Sequence, residues 1–257
     1  MKIFIVFLLM GMTGAFGQEW AKAKLEKSQR HGEWVEVTGA DGRKVRAFIV
    51  YPEVSKKATA VIVIHEIFGL TDWVRGVCDD LAAAGYIAIA PDLLSGKTYE
   101  GIDEVRKAIS QLKPEQITSD INALANYVTK LPAANGKLAI AGFCWGGGQA
   151  FSYAAANPGV KASFVFYGSA PASEEMAKIV CPVYGFYGEN DARISAGIPD
   201  TEKAMKAAGR TYEPVIYSGA GHGFMRTGEA PDAKDADRKA REEAWKRLTS
   251  VLSKISS

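Results

Sequence analysis

The sequence predicts an α/β domain: a mostly parallel sheet covered by helices on both faces, with an antiparallel hairpin at its N-terminal end. Two observations carry this. Apolar, β-branched runs such as "ATAVIVI" (58–64) alternate along the chain with segments of helical spacing, and alternating strands and helices build parallel sheets buried on both sides. At 257 residues, 47% of them hydrophobic, the chain supports one large domain rather than two.

The elements follow in order. After a charged lead, "AKAKLEKSQR" (21–30), two alternating runs around Asp41 and Gly42 signal a hairpin. "ATAVIVIHE" (58–66) is a strand buried on both faces that ends in polar residues. A helix from about Asp72 to Ala84 follows, then the strand "YIAIAPD" (86–92). Residues 102–112 and 116–130 show helical spacing, with Pro114 between them and Pro132 after. The unit then recurs: strand "KLAIAGF", helix from about Trp145, strand "KASFVFYG", strand "CPVYGFYGEND", helix "DTEKAMKAAG", strand "TYEPVIYSG", and a charged final helix from about Ala233.

The first residues, "MKIFIVFLLMGMTGAFGQEW", place Lys2 before an apolar run (3–10) and small residues up to Gly17. This is the layout of an export signal cut before Gln18, and the run falls short of the roughly 20 apolar residues that a membrane span needs. The expectation is therefore a signal peptide over 1–17, one domain over 18–257, a periplasmic or secreted location, and no membrane partner after cleavage. The 31 basic and 29 acidic residues nearly cancel, which leaves no electrostatic footprint for nucleic acid. A monomer or weak homo-oligomer is expected. The three cysteines, Cys78, Cys144 and Cys181, fit no zinc spacing. Cys78 and Cys181 read as buried small hydrophobes, with a disulfide between them left open.

In a parallel sheet, functional residues gather where strands end. Four strand ends here carry chemically competent groups: Glu66 after "VIVIH", Cys144 after "AIAGF", Asp191 in "YGFYGEND", and His222 in "SGAGHGF". Cys144 stands in Gly142-Phe143-Cys144-Trp145-Gly146, the GxCxG form of a nucleophile elbow, in which glycines allow a sharp strand-to-helix turn to project the nucleophile. Both cofactor alternatives fail on residues. A dinucleotide fingerprint needs glycine where Cys144 stands, and a phosphate loop needs a lysine that "GGGQ" lacks. The order nucleophile, acid, histidine is that of the α/β-hydrolase fold, which assigns proton transfer to His222 and its orientation to Asp191, with Glu189 the competing acid. "HEIFG" resembles half of a zinc HExxH, but Gly69 replaces the second histidine and the segment ends a strand. No metal and no cofactor are expected, and His65 reads as structural.

The set "HEIFGL", "PDLL", "GFCWGG", "FYG", "GEND" and "GHGF" resembles the dienelactone hydrolase family (carboxymethylenebutenolidases) over roughly residues 30–255. The resemblance implies an α/β-hydrolase fold with a Cys144, Asp191, His222 triad and an oxyanion hole from the backbone N–H groups of Ile67 and Trp145. It also implies that Glu66 holds the resting thiol and takes its proton when substrate binds. Arg226 is the implied substrate contact, and Phe68 and Tyr167 are further candidate substrate contacts. The family binds a substrate carboxylate with two arginines. Arg226 matches one, whereas Gly96 falls where the other would be and Lys97 beside it offers only a point charge. That departure points to a neutral ester or lactone. The competing readings are a general carboxylesterase or thioesterase of the same fold, and a noncatalytic ligand-binding protein.

Overall fold

The computed structural model describes residues 18–97 and 101–257. The expected signal segment, 1–17, lies outside them. No described helix is long and apolar enough to cross a membrane.

The predicted architecture is observed. The chain runs α1 (Glu19–Glu26), β1 (Gly32–Thr38), β2 (Lys44–Val50), β3 (Ala58–Ile64), α2 (Asp72–Ala83), β4 (Ile87–Pro91), α3 (Ile102–Ser110), α4 (Pro114–Val128) and β5 (Ala134–Phe143). It continues with α5 (Trp145–Ala156), β6 (Val160–Phe166), α6 (Ser173–Met176), β7 (Val183–Gly188), α7 (Ala192–Ser195), α8 (Ile198–Ala207), β8 (Tyr212–Tyr217), α9 (Phe224–Thr227) and α10 (Asp235–Ser256). The eight strands form one sheet in the order β1-β2-β4-β3-β5-β6-β7-β8. β2 is antiparallel to β1 and to β4, and every later pairing is parallel.

Every residue of β3 is buried, as its unbroken apolar run requires of a central strand with helices on both sides. The two faces of the sheet carry separate cores. On one, Ile62, Ile64, Ile140 and Phe151 pack with Leu124 of α4; on the other, Val61, Val63, Phe143 and Phe166 pack with Trp73, Leu81 and Leu248 of α2 and α10. Cys181 lies in the first core and Cys78 in the second, and all three cysteines are free, so the disulfide left open by the sequence is absent.

Two boundaries differ from expectation. Pro114 opens α4 instead of separating two helices, because the first helical position needs no N–H donor. The charged lead contains α1, which buries Ala21 and sends Lys24 Nζ to Asp80 (2.7 Å) and Glu229 (2.6 Å). It is held by these distant partners and by Ala21 and Trp20 packed on the second core.

Candidate active site

Cys144 occupies the bend between β5 and α5 with φ 55° and ψ −118°, backbone that L-residues rarely adopt and that costs on the order of 1–3 kcal/mol. Two glycines make the bend possible. A Cβ on Gly142 would lie 1.9 Å from the Gly146 carbonyl oxygen, and one on Gly146 would lie 2.3 Å from that of His65. The first turn of α5 therefore sits directly against the end of β3. The Cys144 N–H is fixed by the Phe166 carbonyl at 3.0 Å.

The imidazole arrives from the loop after β8. His222 Nδ1–H donates to Asp191 Oδ2 at 2.5 Å, and His222 Nε2 lies 3.1 Å from Cys144 Sγ. A carboxylate only accepts, so the proton sits on Nδ1 and Nε2 is free to accept from the thiol. The choice between the two acids of "GEND" is resolved by the loop's own bonds. Glu189 accepts from Ser218 Oγ and the Gly219 N–H, and Asn190 Nδ2 donates to the Gly219 carbonyl, so both clamp the turn before the histidine while Asp191 reaches the ring. Gly188 permits the approach, since its Cβ would meet the Ala220 and Gly221 carbonyl oxygens at 2.6 and 2.7 Å. A further anchor was not read from the sequence: Asp237 of α10 accepts from the Gly221 N–H (2.9 Å) and Thr227 Oγ1 (2.8 Å).

The thiol pKa is pushed up to about 11, first by burial and second by the negative charge of Glu66. The backbone N–H groups of Trp145 and Ile67, which lie toward the sulfur, and the charge of Arg193 oppose that rise. The two N–H groups of the expected oxyanion pair thus lie toward the Cys144 sulfur, and the raised pKa favours the neutral thiol. Arg193 went unnoticed in the sequence because nothing in "GENDAR" separates it from an ordinary loop arginine. It also lines a cavity of about 310 Å³ with Ser169 and Tyr187.

Glu66 and Arg226 take different partners from those expected. Glu66 is buried, and its Oε2 accepts from Arg226 Nε at 2.7 Å, so the thiol is paired with His222 and not with the glutamate. An unpaired carboxylate at this depth would be costly, and the guanidinium, five donors in a rigid fork, neutralises it better than a thiol. Arg226 is correspondingly engaged, with its guanidinium 5.5 Å from the Phe68 ring. Phe68 is half-buried and borders a cavity of about 410 Å³ that reaches Arg46 and Lys97. Tyr167, expected to contact substrate, is fully buried, its ring edge-on to His222 at 5.1 Å and to Phe224 at 5.4 Å. Its φ of 41° turns it behind the imidazole, where it supports the ring. At Gly96 a Cβ would lie 3.6 Å from Arg46 Nη1 and from Asp92 Oδ2, so a guanidinium from β2 approaches the place where the sequence shows no arginine. Among the described residues, no cluster of three or more His, Cys, Asp or Glu is placed to hold a metal ion.

A cysteine at a glycine elbow between strand and helix, an imidazole on a later loop and an acid between them in sequence follow the α/β-hydrolase pattern. The family model described as the dienelactone hydrolase family matches residues 45–256, and the chain belongs to that family. A protein named as a carboxymethylenebutenolidase from Yersinia pestis is 34% identical over 202 residues, covering 72% of this chain and 76% of that one. A protein named as a 2-oxo-3-(5-oxofuran-2-ylidene)propanoate lactonase from Bradyrhizobium is 30% identical over 208 residues, covering 75% and 83%. The solved structure of a protein described as a dienelactone hydrolase from Klebsiella pneumoniae superposes with a TM-score of 0.79 at 27% identity, over 88% of this chain and 99% of the other. The protein is a hydrolase of this family.

Proposed function

We propose that the protein hydrolyses small carboxylic esters or lactones through an acyl-enzyme on Cys144. The observation that carries this is the continuous chain from Asp191 through His222 to the sulfur, ending under the N–H groups of Ile67 and Trp145.

In the proposed cycle, Cys144 passes its proton to His222 Nε2 as the sulfur attacks the substrate carbonyl carbon, and Asp191 stabilises the imidazolium. The carbonyl π pair moves onto oxygen, and the two backbone N–H groups hold the resulting oxyanion. Collapse re-forms the carbonyl and breaks the acyl–oxygen bond. The leaving oxygen takes the proton from His222, and in a lactone it stays tethered to the acyl group. Water then attacks the thioester with His222 as base, releasing the acid and the thiol. A pKa near 11 makes the resting sulfur a weak nucleophile, so ionisation is coupled to proton transfer within the bound complex. Glu66 enters through its charge, which is shared with Arg226.

Cys144→Ala is expected to remain folded and to lose turnover of p-nitrophenyl acetate; retained turnover would remove the nucleophile assignment. A panel of lactones, oxygen esters and thioesters separates a lactonase from a general esterase or thioesterase. A carboxylate-bearing substrate is a second reading, favoured by Arg46 and Lys97 beside the Phe68 cavity, although Asp72 and Asp92 share that wall. Comparing neutral p-nitrophenyl acetate with its hemisuccinate analogue decides it. We also infer export, from the apolar and small residues of 1–17; N-terminal sequencing of the natural protein should begin at or near Gln18.

A further inference from the structure

His65 precedes Glu66 in "HEIFG" and has no part in the proton chain, yet it is fully buried. Its Nδ1 lies 2.6 Å from the Glu66 carbonyl oxygen. A carbonyl only accepts, so Nδ1 carries the proton and donates. Nε2 is buried with no hydrogen-bond partner among the described residues. Burial pushes the ring's pKa down against the opposing influence of its bond to Glu66 and the charge of Asp92, so the ring is neutral. A ring chosen for packing alone would be phenylalanine, because a buried polar atom left unpaired costs on the order of 1–3 kcal/mol.

Two contacts account for the imidazole. The Glu66 carbonyl and the Ile67 N–H belong to one planar peptide unit, so a hydrogen bond to that oxygen fixes the direction of the N–H on the opposite side. The flat face of the ring stacks on Trp145, with centroids 5.5 Å apart and planes inclined by 28°. Trp145 carries the other N–H that converges on the sulfur. The backbone at Gly146 lies against the His65 carbonyl, which keeps the two segments in register.

We infer that His65 is a positioning residue that aligns both backbone donors of the oxyanion hole, holding the Ile67 N–H through the Glu66 carbonyl and the Trp145 segment through its stacked ring. This rests on the reading of Cys144 as nucleophile. The substitution His65→Leu keeps bulk but removes the donor, His65→Phe also keeps the stack, and His65→Asn places an amide N–H close to where Nδ1 was. Each is compared with wild type in turnover of p-nitrophenyl acetate and in affinity for a small trifluoromethyl ketone. Cys144 Sγ adds to that ketone's carbonyl carbon, its proton passes to His222, and the carbonyl pair becomes an oxyanion in the hole.

The Leu and Phe variants are expected to lose about 10- to 100-fold in kcat with KM within about twofold, and to bind the ketone weaker by the same factor. Their rate of alkylation by iodoacetamide, which forms no oxyanion in the hole, should fall by less than kcat does, because the same N–H groups act there only through the thiol pKa. His65→Asn should recover kcat and ketone affinity to within about fivefold. Wild-type kcat in a folded Leu or Phe variant would overturn the inference, as would a folded Asn variant no better than the apolar ones. If the apolar variants do not fold, His65→Asn decides alone: near-wild-type ketone affinity supports the role and a 10-fold loss removes it. Cys144→Ala run beside them separates the two claims. If it retains turnover the nucleophile reading fails; if it is dead while the His65 variants are normal, only the positioning role fails.

Discussion

Replacing Gly146 by alanine would set a methyl carbon 2.3 Å from the His65 carbonyl oxygen and 2.5 Å from that of Ile64. Ordinary contact begins at 3.4 Å and both obstacles are backbone, so the first turn of α5 and the end of β3 must part by about 1 Å. Those two segments carry the N–H groups of Trp145 and Ile67. Displacement on that scale costs about 100-fold in rate where geometry controls the reaction, and forcing a methyl group into a packed site costs about 1–3 kcal/mol. At about 2–4 °C per kcal/mol for a domain of this size, the midpoint should fall by about 2–12 °C. The assay is kcat/KM on p-nitrophenyl acetate beside a thermal melt followed by circular dichroism. An alanine variant within threefold of wild-type kcat/KM, with an unshifted midpoint, would refute the claim that this contact sets the oxyanion geometry.

Glu66→Gln removes the second largest influence raising the Cys144 thiol pKa, so the thiolate fraction at pH 8 rises and iodoacetamide alkylation should be faster than in wild type. It should also hasten inactivation by peroxide, which attacks the thiolate, and unchanged rates in both assays would deny Glu66 its control of the thiol. Asp191→Asn offers Nδ1 a donor in place of an acceptor, favouring the wrong tautomer. A drop of about 10²- to 10⁴-fold in kcat with little change in KM is expected, and a variant within fivefold of wild type would contradict the orientation role. Alkali should weaken the fold. Burial raises the thiols of Cys144 and Cys181 from 9.0 to about 11, so the folded state keeps protons that the unfolded chain releases. Stability is intact below pH 9 and falls as pH climbs from 9 to 11, which urea melts at pH 8 and pH 10.5 would register as a lower midpoint at the higher pH.

Much of this framework was legible in the chain because it rests on local signals. The all-apolar run of β3 and the glycines around Cys144 each specify a backbone state without distant help. The order of Cys144, Asp191 and His222 is likewise a property of the chain. What escaped depends on partners far apart in sequence. Lys24 folds α1 through Asp80 and Glu229, and Asp237 reaches back to the Gly221 N–H. Arg46 meets Gly96 only because β2 and β4 are neighbours in the sheet. Glu66 is the instructive case. Its place at a strand end was readable, but the choice between thiol and guanidinium is an energetic competition inside a buried site, and Arg226 prevails by 2.7 Å contact with full charge.

The most direct test of the catalytic account is intact-mass spectrometry of protein quenched in acid during turnover of a slowly hydrolysed ester. Wild type should carry one added acyl group, mapped by peptide digestion to Cys144, and Cys144→Ala should carry none. An adduct on another residue, or steady turnover by the alanine variant with no adduct at all, would contradict it.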